Sequence, residues 1–184
     1  MTATVLNRTG DTVTVPTVRS LSEAKAIAAE YPLVLTVGPS GHDVAGFNHP
    51  NHVVLPFADT TRITDPRRPR RQHVDRIVEV GAADLGPILV HCHAGISRST
   101  ASALAILLAR NVDPEVAVKA LVAVHPEGRP FVPNDLIVAI TAEMFDLPDL
   151  PELVISHERY VGQIFKQLHP LKYAPNPKLK LGVR

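Results

Sequence analysis

Residues 88–99, Ile88-Leu89-Val90-His91-Cys92-His93-Ala94-Gly95-Ile96-Ser97-Arg98-Ser99, join an apolar run of strand character to an apolar run of helical character through a short polar loop. The loop holds the single cysteine of the chain, and five residues separate it from Arg98. A strand that turns into a helix this abruptly leaves several backbone N–H groups unpaired at the helix start, where the positive end of the helix dipole also lies. A tetrahedral dianion fits such a cradle. The same field, with a cation nearby, favours thiolate over thiol. The stretch therefore reads as an anion site with a nucleophilic sulfur at its base.

Around this segment, 184 residues suit one domain with a substantial core. A formal charge of +1 supplies no global field toward nucleic acid or a membrane surface. One cysteine excludes an intramolecular disulfide framework and fits a reducing compartment in which a thiolate survives. Residues 1–16 lack the basic start and apolar stretch of a signal peptide. The longest apolar run, near residues 101–109, falls well short of the ~20 residues that span a bilayer. The expectation is a cytoplasmic protein with neither a membrane nor a nucleic-acid partner.

Residues 3–6 and 12–15 alternate around Asn7-Arg8-Thr9-Gly10-Asp11, which predicts an N-terminal hairpin or edge strand within residues 1–20. Ser20 or Ser22 can cap a first helix that runs to Glu30 and is stopped by Pro32. Residues 33–37 read as a buried strand closed by Gly38-Pro39-Ser40-Gly41. A loop with His42, His49 and His52 leads to a second strand, residues 53–57. Helical periodicity over about 72–85 places Val74, Ile77, Val78 and Val80 or Ala82 on one face. Residues 88–90 form the strand that delivers Cys92, and the helix after the loop, to about Arg110, is apolar on nearly every side, as a central core helix is. Asp113-Pro114-Glu115 caps a helix to His125, and Asn134-Asp135 opens one to Phe145.

Strands alternating with helices predict an α/β fold, a central, mostly parallel sheet with helices on both sides. Residues 1–150 form the expected catalytic domain. Residues 151–184 read as a helix to about Leu168 and a proline-rich basic tail with Lys172, Lys178, Lys180 and Arg184. A docked helix with a disordered end accounts for that composition, and a docking tail for an acidic partner is the other reading.

The order His91-Cys92, five residues, Arg98 and Ser99, with Gly95 in mid-loop, resembles the signature of the protein tyrosine phosphatase superfamily. The run from Ala94 to Ser99 looks especially like its compact dual-specificity branch. The resemblance implies a protein-tyrosine-phosphatase-like fold, a cysteine nucleophile at Cys92, and no cofactor. Phosphate is expected on the loop formed by His93, Ala94, Gly95, Ile96, Ser97 and Arg98, with Arg98 clamping two oxygens through its planar fork. It further implies that the Ser99 hydroxyl stabilises the departing thiolate and that His91 supports the loop and tunes the cysteine rather than transferring protons.

A proton donor is expected on a separate loop. Asp59, in Leu55-Pro56-Phe57-Ala58-Asp59, resembles the family's acid loop; Asp65, followed by Pro66, is the alternative and also reads as a turn residue. The segment Arg129-Pro130-Phe131-Val132-Pro133-Asn134 resembles another dual-specificity motif, in which Asn134 caps a helix and braces the active-site loop. From residue 85 to 112 there is no Asp or Glu, which suits an anion site and equally a buried strand and helix. Arg67, Arg68, Arg70 and Arg71 read as a solvated loop or as a lure for acidic substrates, with Arg129 a lesser candidate for that rim.

A metal reading, His91 and His93 with Cys92, His49 or His52, is set aside because His93 falls inside the loop and no second cysteine exists. The expected substrate is a phosphorylated protein or small phosphomonoester, with phosphate, vanadate and sulfate as inhibitory oxyanions. The loop lacks the lysines that inositol- and lipid-directed members tend to carry, which favours protein or aryl phosphates. Inositol phosphates, phosphoinositides, RNA 5′ phosphate and a phosphate-binding pseudophosphatase stay open. The low-molecular-weight phosphatases and arsenate reductases place the cysteine near the chain start with the acid after it, the reverse of the order here.

Overall fold

The computed structural model describes residues 2–38, 47–83 and 86–158. Strands β1 (Thr4–Leu6) and β2 (Thr12–Thr14) form an antiparallel hairpin that is a sheet of its own. Asn7 ties its turn, accepting from the backbone N–H groups of Thr9 and Asp11. The second sheet contains β3 (Thr17–Arg19), β4 (Leu33–Val37), β5 (His52–Leu55) and β6 (Ile88–His91), in the order β3-β6-β4-β5 and parallel throughout. Both N-terminal alternatives are thus present: a hairpin, and in β3 an edge strand that its three residues do not announce.

Register explains why the two sheet faces differ. Alternate residues of a strand face opposite sides. Val34 and Leu89 pack with Ala24 of α1 (Leu21–Ile27) in a small cluster, and Leu33, Leu35, Val37, Ile88 and Val90 belong to the main core. On the main side lie α2 (Arg71–Ala82), α3 (Arg98–Ala109), α4 (Pro114–Val124), α5 (Asp135–Phe145) and α6 (Leu150–His157). Every residue of α3 from Arg98 to Leu108 is buried, as expected of a helix at the centre of the core. Gly81 lets α2 approach it: a Cβ there would stand 3.0 Å from the Ile106 Cα.

The helix ends follow local chemistry. Ser20 caps α1 in a reciprocal box with Glu23, Asp113 accepts from Glu115 and Val116, and Asn134 accepts from Leu136 and Ile137. Some boundaries depart from expectation. α1 ends at Ile27 and a 3-10 turn, Ala28–Glu30, takes the chain to Tyr31. β5 stops at Leu55 because Pro56 has no N–H to continue a ladder, and it begins at His52, which belongs to the strand and not to the loop before it. α2 ends at Ala82, which is exposed; Val80 and Gly81 carry the buried face there, and Val78 is half-buried. Leu150 and Val154 seat α6 against the core. The strand closure at 39–41, His42, Leu85, the helix beyond residue 158 and the basic tail lie outside the described residues. Among the described residues no helix is long and apolar enough to cross a membrane.

Candidate active site

Strand β6 is central in its sheet, and Cys92 follows directly from its C-terminal end, the edge where open parallel sheets place ligands. The loop's carbonyls are turned outward into the scaffold. His93 O accepts the Leu21 N–H at 3.1 Å, Ile96 O the Val132 N–H at 3.4 Å, and Ser97 O the Asn134 N–H at 3.2 Å. In a planar trans peptide the following N–H points the opposite way. The N–H groups of Ala94, Ser97 and Arg98 are therefore directed into the loop, as a cradle for an anion requires.

Gly95 is essential for two reasons. Its φ is +71°, and a Cβ would lie 2.6 Å from the Arg19 carbonyl carbon and 2.7 Å from the Ser20 N. A side chain at this position would thus strike the β3–α1 backbone behind the loop. The Gly95 N–H donates to Cys92 Sγ at 3.3 Å, and Ser99 Oγ lies 3.2 Å from the same sulfur. Cys92 is buried, while His93 and Ala94 are exposed at the mouth.

Arg98 opens α3 with its side chain only 6% exposed. One Nη donates to the Phe57 carbonyl at 3.1 Å, and its Nε is buried without a hydrogen-bond partner among the described residues. A buried guanidinium with a donor unused is costly unless an anion completes it. The Phe57 contact also draws in the acid loop. The Phe57 ring packs on His73, and the Ala58 N–H donates to Arg67 O at 2.8 Å, so the chain on either side of Asp59 is fixed.

Asp59 meets the loop directly. Its Oδ1 accepts from Ser97 Oγ and from Asn134 Nδ2, both at 2.8 Å, and its Oδ2 lies 3.8 Å from Arg98 Nε. Asp65, the alternative donor, is occupied elsewhere: its Oδ1 accepts from the Arg67 backbone N–H at 2.9 Å and from Arg67 Nε. Those two bonds hold its carboxyl below the usual carboxylate range, the wrong direction for a proton donor. The carboxylate-free stretch 85–112 thus does not keep acids from the cradle, since one arrives from another loop.

Asn134 caps α5, donates its backbone N–H to the loop and holds Asp59 with its amide, a broader bracing role than expected. Arg129 does not present a rim charge: it donates to Glu23 at 2.8 Å, and this bond, ahead of those from Ser20, holds the Glu23 carboxyl down at about 2. In the arginine run, Arg67 pairs with Asp65, Arg68 and Arg70 donate to the Asp65 and Pro66 carbonyls, and Arg71 pairs with Asp75. His91 Nε2 meets Thr36 Oγ1 at 2.6 Å and its ring stacks on Phe47. His49 meets the Tyr31 carbonyl. Among the described residues no group of three or more His, Cys, Asp or Glu is arranged to hold a metal ion.

Several contributors went unnoticed in the sequence. The sequence marks Ser97 as a loop position, with no local signal that its hydroxyl reaches Asp59. Thr36 was readable in principle, as the one polar residue in Leu33-Val34-Leu35-Thr36-Val37.

No protein-family model matches the sequence, and no curated protein matches it. Solved structures do. A tyrosine-to-histidine variant of human DUSP28 superposes with a TM-score of 0.54 at 22% identity, covering 71% of this chain and 94% of that one. Human DUSP28 itself gives 0.52 at 20% identity over 72% and 92%. A mouse dual-specificity-phosphatase-type protein complexed with zinc tungstate gives 0.53 at 20% identity over 73% and 84%. Its parallel sheet, its flanking helices and these superpositions together show that the chain has the fold of the compact dual-specificity phosphatases.

Proposed function

We propose that the protein is a cysteine-dependent phosphatase that hydrolyses phosphate monoesters, with phosphotyrosine and other aryl phosphates as the preferred class and phosphoserine or phosphothreonine as further substrates. The observation that carries this is the meeting of Cys92, Arg98 and Asp59 around one loop, where Asp59 is held by Ser97 and Asn134 at 2.8 Å.

The phosphate dianion seats on the inward N–H groups, and the Arg98 guanidinium spans two of its oxygens. Cys92 Sγ attacks phosphorus in line; the sulfur–phosphorus bond forms as the bond to the leaving oxygen breaks. Asp59 gives its proton to that oxygen. Asp59 then removes a proton from water, the water oxygen attacks phosphorus, and the sulfur–phosphorus bond breaks. Gly95 N–H and the Ser99 hydroxyl receive the returning thiolate. The loop positions His93, Ala94, Ile96 and Ser97 include no lysine, which favours a substrate with one phosphate over a polyphosphorylated one.

Hydrolysis of p-nitrophenyl phosphate by the purified protein tests the reading. Activity that vanishes in Cys92→Ser and is inhibited by vanadate supports it; oxyanion binding without turnover across the neutral range would make the protein a phosphate-binding module instead.

A further inference from the structure

The acid loop carries more than its aspartate. The Ala58 N–H donates to the Arg67 carbonyl at 2.8 Å and closes the chain between them into a loop. Inside it, Thr60 Oγ1 accepts the Arg62 N–H at 3.1 Å, the Arg62 carbonyl accepts the Asp65 N–H at 3.1 Å, and the Asp65 carboxylate accepts the Arg67 N–H at 2.9 Å. These bonds make Arg62-Ile63-Thr64-Asp65 a tight turn whose shape is set within the loop itself. Ile63, at the tip, serves none of them. It is 67% exposed, more than any other large apolar residue among those described.

A single apolar side chain in water is ordinary, but the place of this one gives it a use. The same loop delivers Asp59 to Ser97 and Asn134, and its Phe57 carbonyl accepts from Arg98. Ile63 is four residues beyond Asp59, so the two stand at most about 14 Å apart. An extended peptide rises about 3.3 Å per residue. A residue within four positions of the phosphorylated one therefore reaches Ile63 while the leaving oxygen sits at Asp59.

Arg62 supplies the polar half. Arg67, Arg68, Arg70 and Arg71 each have a partner in the loop or on α2, whereas the exposed Arg62 side chain has no hydrogen bond or ion pair among the described residues. Asp65, at the other end of the turn, already accepts two Arg67 N–H groups. A free guanidinium next to a bare isoleucine suits a carboxylate and a hydrocarbon on nearby residues of one ligand. The pair is far too small for a stable contact with a second copy, which takes about 800 Å² from each partner. It is large enough for one or two side chains of a peptide that its phosphate already anchors.

We propose that Arg62 and Ile63 form a substrate subsite beside the anion loop, which reads the residues flanking the phosphorylated one by taking an acidic side chain at Arg62 and an apolar one at Ile63. The substrate is then a phosphorylated protein segment of acidic and apolar character. This rests on the phosphatase reading above.

The test compares kcat/KM for three substrates: a phosphotyrosine peptide with glutamate and leucine on both sides, the same peptide with glutamine and serine in those places, and p-nitrophenyl phosphate, which has no flanking residues. The unmodified protein prefers the first peptide to the second. Relative to p-nitrophenyl phosphate, Ile63→Ser lowers kcat/KM for the first peptide about five- to tenfold, chiefly through KM. Arg62→Gln lowers it about two- to fivefold, and less at high salt. Arg62→Glu turns the preference toward a lysine-flanked peptide. Arg76→Gln, which removes an exposed charge on α2, leaves the ratio unchanged.

Equal losses on the peptide and on p-nitrophenyl phosphate, or a matching loss in Arg76→Gln, overturn the proposal. So does an Ile63→Ser variant that sediments as a monomer where the unmodified protein is a dimer and keeps its peptide preference, since the tip would then join two copies. Fluorescence anisotropy of the labelled peptides with Cys92→Ser separates the subsite from the enzyme reading, because binding should follow the same ranking. That ranking in a protein without turnover would refute the phosphatase reading alone, and turnover of p-nitrophenyl phosphate without any ranking would refute the subsite alone.

Discussion

The side-chain amide of Asn134 donates to Asp59 Oδ1 at 2.8 Å while its carbonyl oxygen caps α5 and its backbone N–H holds the Ser97 carbonyl. One residue therefore couples the acid loop, the anion loop and a core helix. Replacing it separates these functions. Asn134→Ala removes a buried cap and leaves backbone N–H groups unpaired, and should lower stability by about 1–2 kcal/mol, measured by denaturant unfolding. Asn134→Asp keeps the cap but sets a second carboxylate against Asp59. Ionisation of Asp59 is then disfavoured, so the high-pH limb of the kcat/KM profile, where the general acid loses its proton, moves to higher pH. A limb that stays in place would mean Asp59 is not the acid.

Asp59→Ala should slow substrates with poor leaving groups by roughly 10²- to 10⁴-fold, because their leaving oxygen needs a proton as it departs. Aryl phosphates with good leaving groups should be affected much less. Asp65→Ala should leave both classes nearly unchanged, since Asp65 is bound to Arg67. Equal losses on both substrate classes in Asp59→Ala would contradict the assignment.

Gly95→Ala places a Cβ 2.6–2.8 Å from the Arg19 and Ser20 backbone at a positive φ. Strain of this kind costs about 1–3 kcal/mol, and the loop can relieve it only by moving away from β3. Vanadate affinity should fall at least tenfold by titration calorimetry, together with a lower melting temperature. Unchanged affinity would show that the loop does not depend on this contact.

Glu23, held at about 2 first by the hydrogen bond from Arg129, links the start of α1 to the segment before Asn134. Because its folded-state value lies below the ordinary 4.5, its contribution to stability is fully present above that value and is lost as pH falls toward about 2. The melting temperatures of the unmodified protein and Glu23→Gln should therefore differ most above about pH 5 and converge on acidification. A constant difference across that range would show that the Glu23 charge has no part in it.

Much of the architecture could be read from local chemistry. β4 stands between Pro32 and Gly38 as a run that is apolar except for Thr36, Asp113 and Asn134 are strong caps, and the apolar periphery of α3 marks a helix with no wet side. Cys92, Arg98 and Ser99 are legible for the same reason: one loop holds all three. Contacts between distant segments were not legible. Nothing local to Ser97 shows that its hydroxyl meets Asp59 across 38 positions, or that Arg129 meets Glu23 across 106. β3 is too short to carry a pattern and is a strand because β6 offers it a ladder. Gly95 signalled a tight loop, but only the packing shows that the backbone of Arg19 and Ser20 is what excludes a side chain.

Rapid acid quenching of the protein during turnover of a phosphorus-labelled aryl phosphate, followed by peptide mapping, tests the central claim most directly. A phosphoryl group on Cys92 sulfur is expected, accumulating in Asp59→Ala with a good leaving group, where water is no longer activated, and absent in Cys92→Ser. Turnover of substrate with label on another residue, or with no covalent intermediate under conditions that trap one, would contradict it.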